Sequence, residues 1–498
     1  MTFCLNFPLF LIVLSLASAV ISSILPAKAA RILSLCLLLV SAAANAVLFV
    51  FLRQNGESVE YLMGHFPRPW GNELKLSELG SFITALFALI EFLCLLGGAH
   101  QIDTRLEGSF GRYYYVMADL IHVSLLVLAY TNDIFTGYVF VEICTLASAG
   151  ILAVRHNGKT ILAATRYMIY SQIGSGLFLF SIIFLYNLTG HLLLPDLKES
   201  IAVLWKEGTY RLPLLTAVSF ACLGLGIKSG MFPFHLWMSD TYGSTVIPSS
   251  GILSGLVSKG YIILLIRLLF DGFGTEVFYQ SGTHNIVYLL GAMGVIAGSI
   301  GALRENNIFR MTAYSSAAQI GYIFMGIGLS AVGGVTAALF QIFAHALTKP
   351  VLFLSEGILS DTMDGAKKFR NLQGAASYNH FAGAAFTFEA LSMIGLPLTA
   401  GFIVKYLFGR DALLSPSYLK MILTLAVIAV STVLNALYFT RAILRIYNRP
   451  QREDIRRVRI REEKGYFAAG LVFIVLNLLL GIQAGAFLQI IREGLQLF

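Results

Sequence analysis

Residues 227–267, IKSGMFPFHLWMSDTYGSTVIPSSGILSGLVSKGYIILLIR, place Lys228, Pro233, Pro248 and Lys259 in a mainly apolar stretch. Pro233 has no backbone N–H, and its ring crowds the carbonyl of Ser229, so a helix here is expected to break about one turn from Lys228. Irregular backbone survives inside a bilayer only where protein or water covers it. Lys259 follows Pro248, which opens its span, by eleven residues. The helical rise then puts it about 16 Å in, near mid-membrane. A lysine at that depth costs about 2.5–3.5 kcal/mol to insert. Two of them point to transfer of ions or protons.

The same device recurs at 395–408, GLPLTAGFIVKYLF. Pro397 is expected to free the carbonyl of Met393, with Lys405 about 12 Å further along a continuous helix. Paired broken helices in two halves are the mark of an inverted-repeat transporter. Glu142, in GYVFVEICTLASAGILAV at 137–154, lies about 12 Å into its own span. Movement of this carboxylate relative to Lys228 would load and release a proton. His345 and Lys349, in LFQIFAHALTKPVLFLSEG at 339–357, are four apart and share a helix face. Imidazole relays protons near neutral pH and would bridge Lys259 to Lys405 if their spans adjoin. His235, two residues beyond Pro233, is a secondary pathway candidate.

Composition agrees with this reading. Hydrophobic residues make up 57% of the 498, charged residues 12%, and the mean hydropathy is +0.76. An all-α polytopic membrane protein follows, because apolar runs of about 20 residues recur end to end. The short alternating strands of a barrel are missing from the pattern. The first run has no basic segment before it and reads as a retained helix. About 14 spans are expected, near 3–24, 32–52, 78–98, 113–130, 134–154, 161–187, 212–236, 248–270, 285–303, 308–330, 333–358, 380–408, 419–443 and 465–490. No soluble domain is left over.

Alternate loops carry Lys28, Arg31, Arg105, Arg155, Lys159, Arg304, Lys367, Lys368, Arg370 and the run RPQREDIRRVRIREEK at 449–464. The positive-inside rule therefore puts both termini outside the cytoplasm, in a multi-pass protein of the inner membrane. This bias supplies much of the net charge of +8 and calls for no nucleic-acid partner. The 449–464 run is expected to be an interfacial amphipathic helix, with a docking segment as the alternative. Cys4, Cys36, Cys94, Cys144 and Cys222 lie in apolar runs without metal-ligand spacing. With no nucleotide-binding fingerprint and no catalytic centre, any redox cofactor belongs to another chain.

Six motifs, FVEICTLAS (140–148), KSGMFPFHLWMSD (228–240), IPSSGILSGLVSKG (247–260), MTAYSSAAQIGYI (311–323), AHALTKPVLFLS (344–355) and IGLPLTAGFIVKY (394–406), closely resemble the antiporter-like family shared by respiratory complex I, Mrp cation/proton antiporters and membrane-bound energy-converting hydrogenases. The resemblance covers roughly 78–445. It implies 14 helices, two inverted five-helix repeats and broken helices seven and twelve. It divides the chain into N-terminal helices (1–112), a first repeat (113–270), a second repeat (285–443) and a basic linker with the last span (444–498). It makes Glu142 and Lys228 a charge pair, Lys259 the central lysine, His345 and Lys349 a relay, and Lys405 the terminal group.

As cargo, the resemblance implies protons, with sodium exchange as an extension. As partners, it implies other membrane subunits, with iron–sulfur or nickel–iron centres in partner subunits and none in this chain. Hydrogenase-type and Mrp-type hosts are the leading expectation; a proton-pumping NADH or ferredoxin:quinone oxidoreductase is the alternative, and a non-translocating scaffold the rival of another class. Arg310 and Arg166 stand where relatives carry lysine, and Arg310 reads as structural or lipid-facing because arginine stays charged. Glu356 reads as a local addition to the cytoplasmic mouth. Glu91, Asp119, His122 and Asp133 read as packing or interfacial groups, with an inlet path or a partner contact as the alternative, and Glu78 suits a helix N-terminus.

Overall fold

Short polar side chains start the spans. Ser77, Asp133, Asn157, Asn307, Asn379 and Ser417 each accept a hydrogen bond from a backbone N–H two or three residues on, so donors with no helical partner are satisfied within the protein. The structure, a computed structural model, describes residues 2–66, 71–330, 332–449 and 463–496. The run at 449–464 lies largely outside the described residues.

The chain opens with α1 (Phe7–Ser22) and α2 (Ala27–Asn55), followed by an antiparallel hairpin of β1 (Val59–Leu62) and β2 (Glu73–Leu76) that pairs Val59 with Leu76. Next come α3 (Glu78–Arg105), α4 (Phe110–Tyr130), α5 (Ile134–Ala153) and α6 (Gly158–Thr189). An amphipathic α7 (Leu194–Glu207) leads to α8 (Arg211–Ser229), which breaks at 230–236 and resumes as α9 (Trp237–Ser244). α10 (Ile247–Ile252), a π-helical turn (Leu253–Val257) and α11 (Ser258–Arg267) then form one crossing. A short α12 (Thr275–Gln280) precedes α13 (Thr283–Arg304), α14 (Ile308–Leu329) and α15 (Gly333–Thr362). After the single turn of α16 (Ala375–Tyr378), α17 (His380–Ile394) breaks at 395–399 into α18 (Ala400–Leu413), and α19 (Tyr418–Tyr447), α20 (Lys464–Ile482) and α21 (Ala484–Gln496) complete the order.

Twelve helices among the described residues are long and apolar enough to cross a membrane. The other two expected crossings are α14, almost wholly buried inside the bundle, and the interrupted α17–α18 pair. Both breaks fall at the expected prolines. α7 stands in a stretch expected to be a loop; Leu194, Leu197, Ile201 and Trp205 give it one buried face.

Loops carrying the basic residues tie together on one face of the bundle. Arg31 meets Asp103 at 2.5 Å, Arg105 pairs with Asp361, Ile308 N donates to Lys367 O at 3.1 Å, and Gly374 N donates to Arg445 O at 3.2 Å. On the opposite face the β-hairpin joins Asn132, whose N–H donates to Glu73 O at 3.0 Å, and Lys75 pairs with Asp271 at 2.9 Å.

Every residue of the central spans of α10–α11 and α15 is buried. Small residues let these helices meet: a Cβ on Gly255 would lie 3.0 Å from Cγ of Pro350, inside α15. α13 and α14 are closer still. A Cβ on Gly291 would sit 2.3 Å from Met325 N, and one on Gly321 2.5 Å from Val295 N. Gly321→Leu is therefore expected to cost at least about 1–3 kcal/mol. The check is the thermal unfolding midpoint in detergent, where an unchanged value would show that the two backbones have room to part.

Candidate functional site

In the first half, the end of α8 is pressed against α5 and α6. Gly174 and Gly224 remove the side chains that would separate α6 from α8, since a Cβ on Gly174 would lie 2.7 Å from Gly224 O and 3.0 Å from Cγ of Lys228. Lys228 Nζ donates to Glu142 Oε1 at 3.1 Å and to Thr145 Oγ1 at 2.7 Å, and sits 5.6 Å from the ring centroid of Tyr261. The lysine side chain is fully buried, whereas Glu142 is 22% exposed and also receives hydrogen bonds from Ser175 and Gln172 of α6. The carboxylate is thus the end of the pair that reaches the edge of the bundle.

Tyr261 lies two residues from Lys259 on α11, so one short helix holds the ring beneath Lys228 and the next ammonium group. Lys259 Nζ donates to Ser254 O, within the π-turn, and to Ser258 Oγ at 3.1 Å. Such π-turns concentrate at functional sites because they displace carbonyls from the helical ladder. Ser254 Oγ donates to Ser316 Oγ at 2.9 Å, and Ser316 Oγ donates to Thr312 O at 2.9 Å. The same carbonyl accepts from Lys349 Nζ at 3.1 Å, and Ser315 Oγ accepts from it at 2.8 Å. Through α14, hydroxyl and carbonyl groups therefore join the surroundings of Lys259 to those of Lys349.

His345, one turn before Lys349, has no hydrogen-bond partner on either ring nitrogen among the described residues. It faces a small cavity of about 20 Å³ shared with Lys405, Thr348, Gln319, Gln341 and Ser392. That is room for one water molecule amid polar groups. Lys405 Nζ donates to Ile394 O, the last carbonyl of α17, and Gly395 turns the chain there with φ 104°. The Met393 carbonyl, expected to be the freed one, accepts from Asn435 Nδ2 at 3.4 Å. His235 is buried in the first break between Phe232 and Tyr314, with no hydrogen bond to Lys228 among the described residues.

Three groups stood outside the expected line or at its margin. Glu356 is fully buried, two turns beyond Lys349, and accepts from Thr312 Oγ1. Glu389 on α17 is fully buried and accepts from Asn477 Nδ2 at 2.6 Å. Asn477, on α20, also accepts from Ala400 N at 3.1 Å and lies 3.2 Å from Thr348 Oγ1, so one amide spans the break between α17 and α18. A carboxylate in the apolar run just before the break at Gly395 was the available signal for Glu389, masked by the stronger signal of Lys405. Arg310 pairs with Glu305 at 3.1 Å and approaches Asp240 at 3.6 Å, and Arg166 pairs with Asp240.

The N-terminal acids form a separate cluster. His122 lies 3.3 Å from Glu91 and 2.9 Å from Ser41 Oγ, and Asp119 accepts from Ser18 at 2.7 Å, whereas Asp133, outside this cluster, caps α5. Among the described residues no group of three or more His, Cys, Asp or Glu side chains is arranged to hold a metal ion.

Two interrupted crossings, a buried carboxylate–lysine pair and further lysines buried within the bundle define an antiporter-like polytopic membrane subunit. The chain belongs to the NADH:quinone oxidoreductase/Mrp antiporter transmembrane family, whose model matches residues 131–435. It is 32% identical to NADH-quinone oxidoreductase subunit N of Desulforudis audaxviator (strain MP104C), over 81% of this chain and 78% of the relative. It is 24% identical to a Na(+)/H(+) antiporter subunit of Bacillus subtilis (strain 168), over 84% and 82% of the two chains. Its fold is similar to that of a chain in the archaeal membrane-bound sulfane sulfur reductase complex (TM-score 0.88, 21% identity, 98% of this chain and 97% of that one). A chain of the Mrp complex from Dietzia sp. DQ12-45-1b is similar too (TM-score 0.86, 20% identity, 99% and 97%).

Asn477→Leu would strip Glu389 of its 2.6 Å donor, leaving Thr348 alone beside it, and Ala400 N of its acceptor. Loss of partners by buried polar groups costs about 1–3 kcal/mol, more for a charged one. The variant is expected to melt earlier in detergent, and Asn477→Leu with Glu389→Leu to recover part of the loss; no recovery would show that the two side chains act independently.

Proposed function

We propose that this chain moves protons across the membrane as one subunit of a multi-subunit energy-converting complex. The observation that carries the reading is the Glu142–Lys228 ion pair, 3.1 Å long, at the start of a buried series of amines. Separation of the pair would leave the ammonium of Lys228 without its anion and favour release of its proton, and re-formation would favour uptake. Lys259 would exchange protons with Lys349 along the hydroxyl-lined contact through Ser254, Ser316 and Thr312. His345 would pass a proton to Lys405 across the shared polar cavity, by way of a water held there.

Direction along the second half follows from the order of groups on α15. Glu356 lies toward the basic face, Lys349 and His345 follow inward, and Lys405 lies beyond the break in α18. By the positive-inside rule the basic face is cytoplasmic and both termini lie outside the cytoplasm. The family resemblance and the two interrupted crossings support two inverted five-helix halves, 113–270 and 285–443. Family membership supports a respiratory or Mrp-type host, and the 32% identity to a quinone-oxidoreductase subunit favours that type over the hydrogenase and Mrp types. Redox centres would then sit in partner subunits, and sodium is an alternative cargo to test alongside protons.

Replacement of Lys228 or Lys259 by methionine is expected to lower proton transport by the complex in proteoliposomes about 10²-fold or more, the scale of losing a positioned proton carrier. Subunit composition, read by mass spectrometry of the intact complex, should not change. Undiminished transport would sink the proposal, and loss of the complex would favour a scaffold whose charges serve assembly. Glu356→Gln is expected to slow transport by about 10²-fold, the lower end of the same scale, because it removes the carboxyl on the basic side of Lys349. Transport at the unmodified rate would remove Glu356 from the path.

A further inference from the structure

On the basic face, a cavity of about 820 Å³ opens between the α5–α6 turn, α9, the start of α14 and the loop after α15. Five cationic side chains line it: Arg155, Lys159, Arg166, Arg310 and Lys367. The only carboxylate in the lining, Asp240, is already engaged by Arg166 and Arg310. Arg155 and Lys159 have no ion pair or hydrogen bond from their side chains among the described residues. Lys367 is turned into the site by its bond to Gly243 O at 2.8 Å and rests 5.3 Å from the ring centroid of Phe309. Against the five cations stand Asp240 and, pairing with Arg310 from outside the lining, Glu305, so the cavity keeps an excess of positive charge.

We propose that this cavity binds the phosphate of an anionic phospholipid headgroup. The ligand class follows from charge and from what lies beside the charge. Bidentate guanidinium groups and lysine ammonium groups suit phosphate oxygens. Gly158 and Lys159 form the first turn of α6, whose N-terminal dipole adds to the attraction. Lys367 is held down to about 8 by burial, then by the positive charges of Arg155, Arg105 and Lys159, with Asp361 opposing; a bound anion would relieve that repulsion. A lipid fits better than a free anion because α6 continues from the cavity with Ile161, Leu162 and Ile169 exposed on its outer surface, where acyl chains would lie. Basic pockets on the cytoplasmic side of membrane helices are favourable places for such headgroups.

The site joins the two halves. Arg155, Lys159 and Arg166 come from the α5–α6 region, whereas Arg310 and Lys367 come from α14 and the loop after α15. A headgroup held by both would brace the halves at the face where the break in α8 opens.

The test uses the complex carrying the full chain, purified in mild detergent, stripped of lipid and supplied in turn with phosphatidylglycerol, phosphatidylcholine or inorganic phosphate. Native mass spectrometry reads what stays bound to this subunit. Phosphatidylglycerol is expected to be retained at least about tenfold better than phosphatidylcholine, and Arg155→Ala with Lys159→Ala to abolish that preference. Lys198→Ala with Lys206→Ala, on α7 at the opposite face, should leave it intact. Equal retention of the two lipids, or an unchanged preference in the Arg155/Lys159 variant, would overturn the proposal. Inorganic phosphate held as tightly as the lipid would replace the lipid with a free anion, and a protein subunit occupying the cavity would overturn it as well. If the double variant proves unstable, Lys159→Glu alone must still reduce retention.

Discussion

A bilayer cannot solvate a carbonyl released from a helix or an ammonium group carried into its interior, so each must find the other. Lys259 donates to Ser254 O, Lys349 to Thr312 O, Lys405 to Ile394 O and Lys420 to Gly328 O. Three of these carbonyls lie at a π-turn, a helix break or a helix end. The irregular backbone and the buried amines are two sides of one constraint, and removing either leaves the other uncompensated. Lys228 differs from these four in bonding directly to a carboxylate, Glu142, at 3.1 Å.

That constraint also explains the placement of the helices. α10–α11 and α15 carry the central lysines and are the crossings buried along their whole apolar windows, walled from lipid by the remaining helices. Close approach comes from small residues: glycines on α13 and α14 bring Thr312, Ser315 and Ser316 inward against α15, and Gly251 and Gly255 seat the π-turn on Pro350. Packing without bulky side chains is what allows short polar groups to reach the amines. Asn477 performs the same service from outside the second half, holding α18 to α17 across the break while satisfying Glu389.

The residues of the line were legible because charge is rare in the chain, and a lysine amid apolar residues stands out without any knowledge of its neighbours. Their partners were not. Thr145, Ser254, Thr312, Ser315, Ser316 and Asn477 are ordinary polar residues in membrane helices, and nothing in their local sequence separates them from the many that bond only to the preceding turn. His345 was expected to connect Lys259 with Lys405. His345 faces the cavity that Lys405 also lines, while Lys259 bonds to Ser254 O and Ser258 Oγ, and Ser254 Oγ in turn reaches Ser316 on α14, the helix whose Thr312 O and Ser315 Oγ hold Lys349.

From sequence alone came the membrane class, the crossings, both breaks and the amines Lys228, Lys259, Lys349 and Lys405, though not the buried Lys420. Each follows from local physics: the length of apolar runs, the missing N–H of proline and the cost of isolated charge. The π-turn before Lys259, the carbonyl that Lys405 takes, the clasp made by Asn477 and the gathering of five cations around one cavity depended on tertiary structure. They arise where separate helices and loops are packed into contact, and no local pattern encodes which carbonyl or hydroxyl a buried ammonium group will reach.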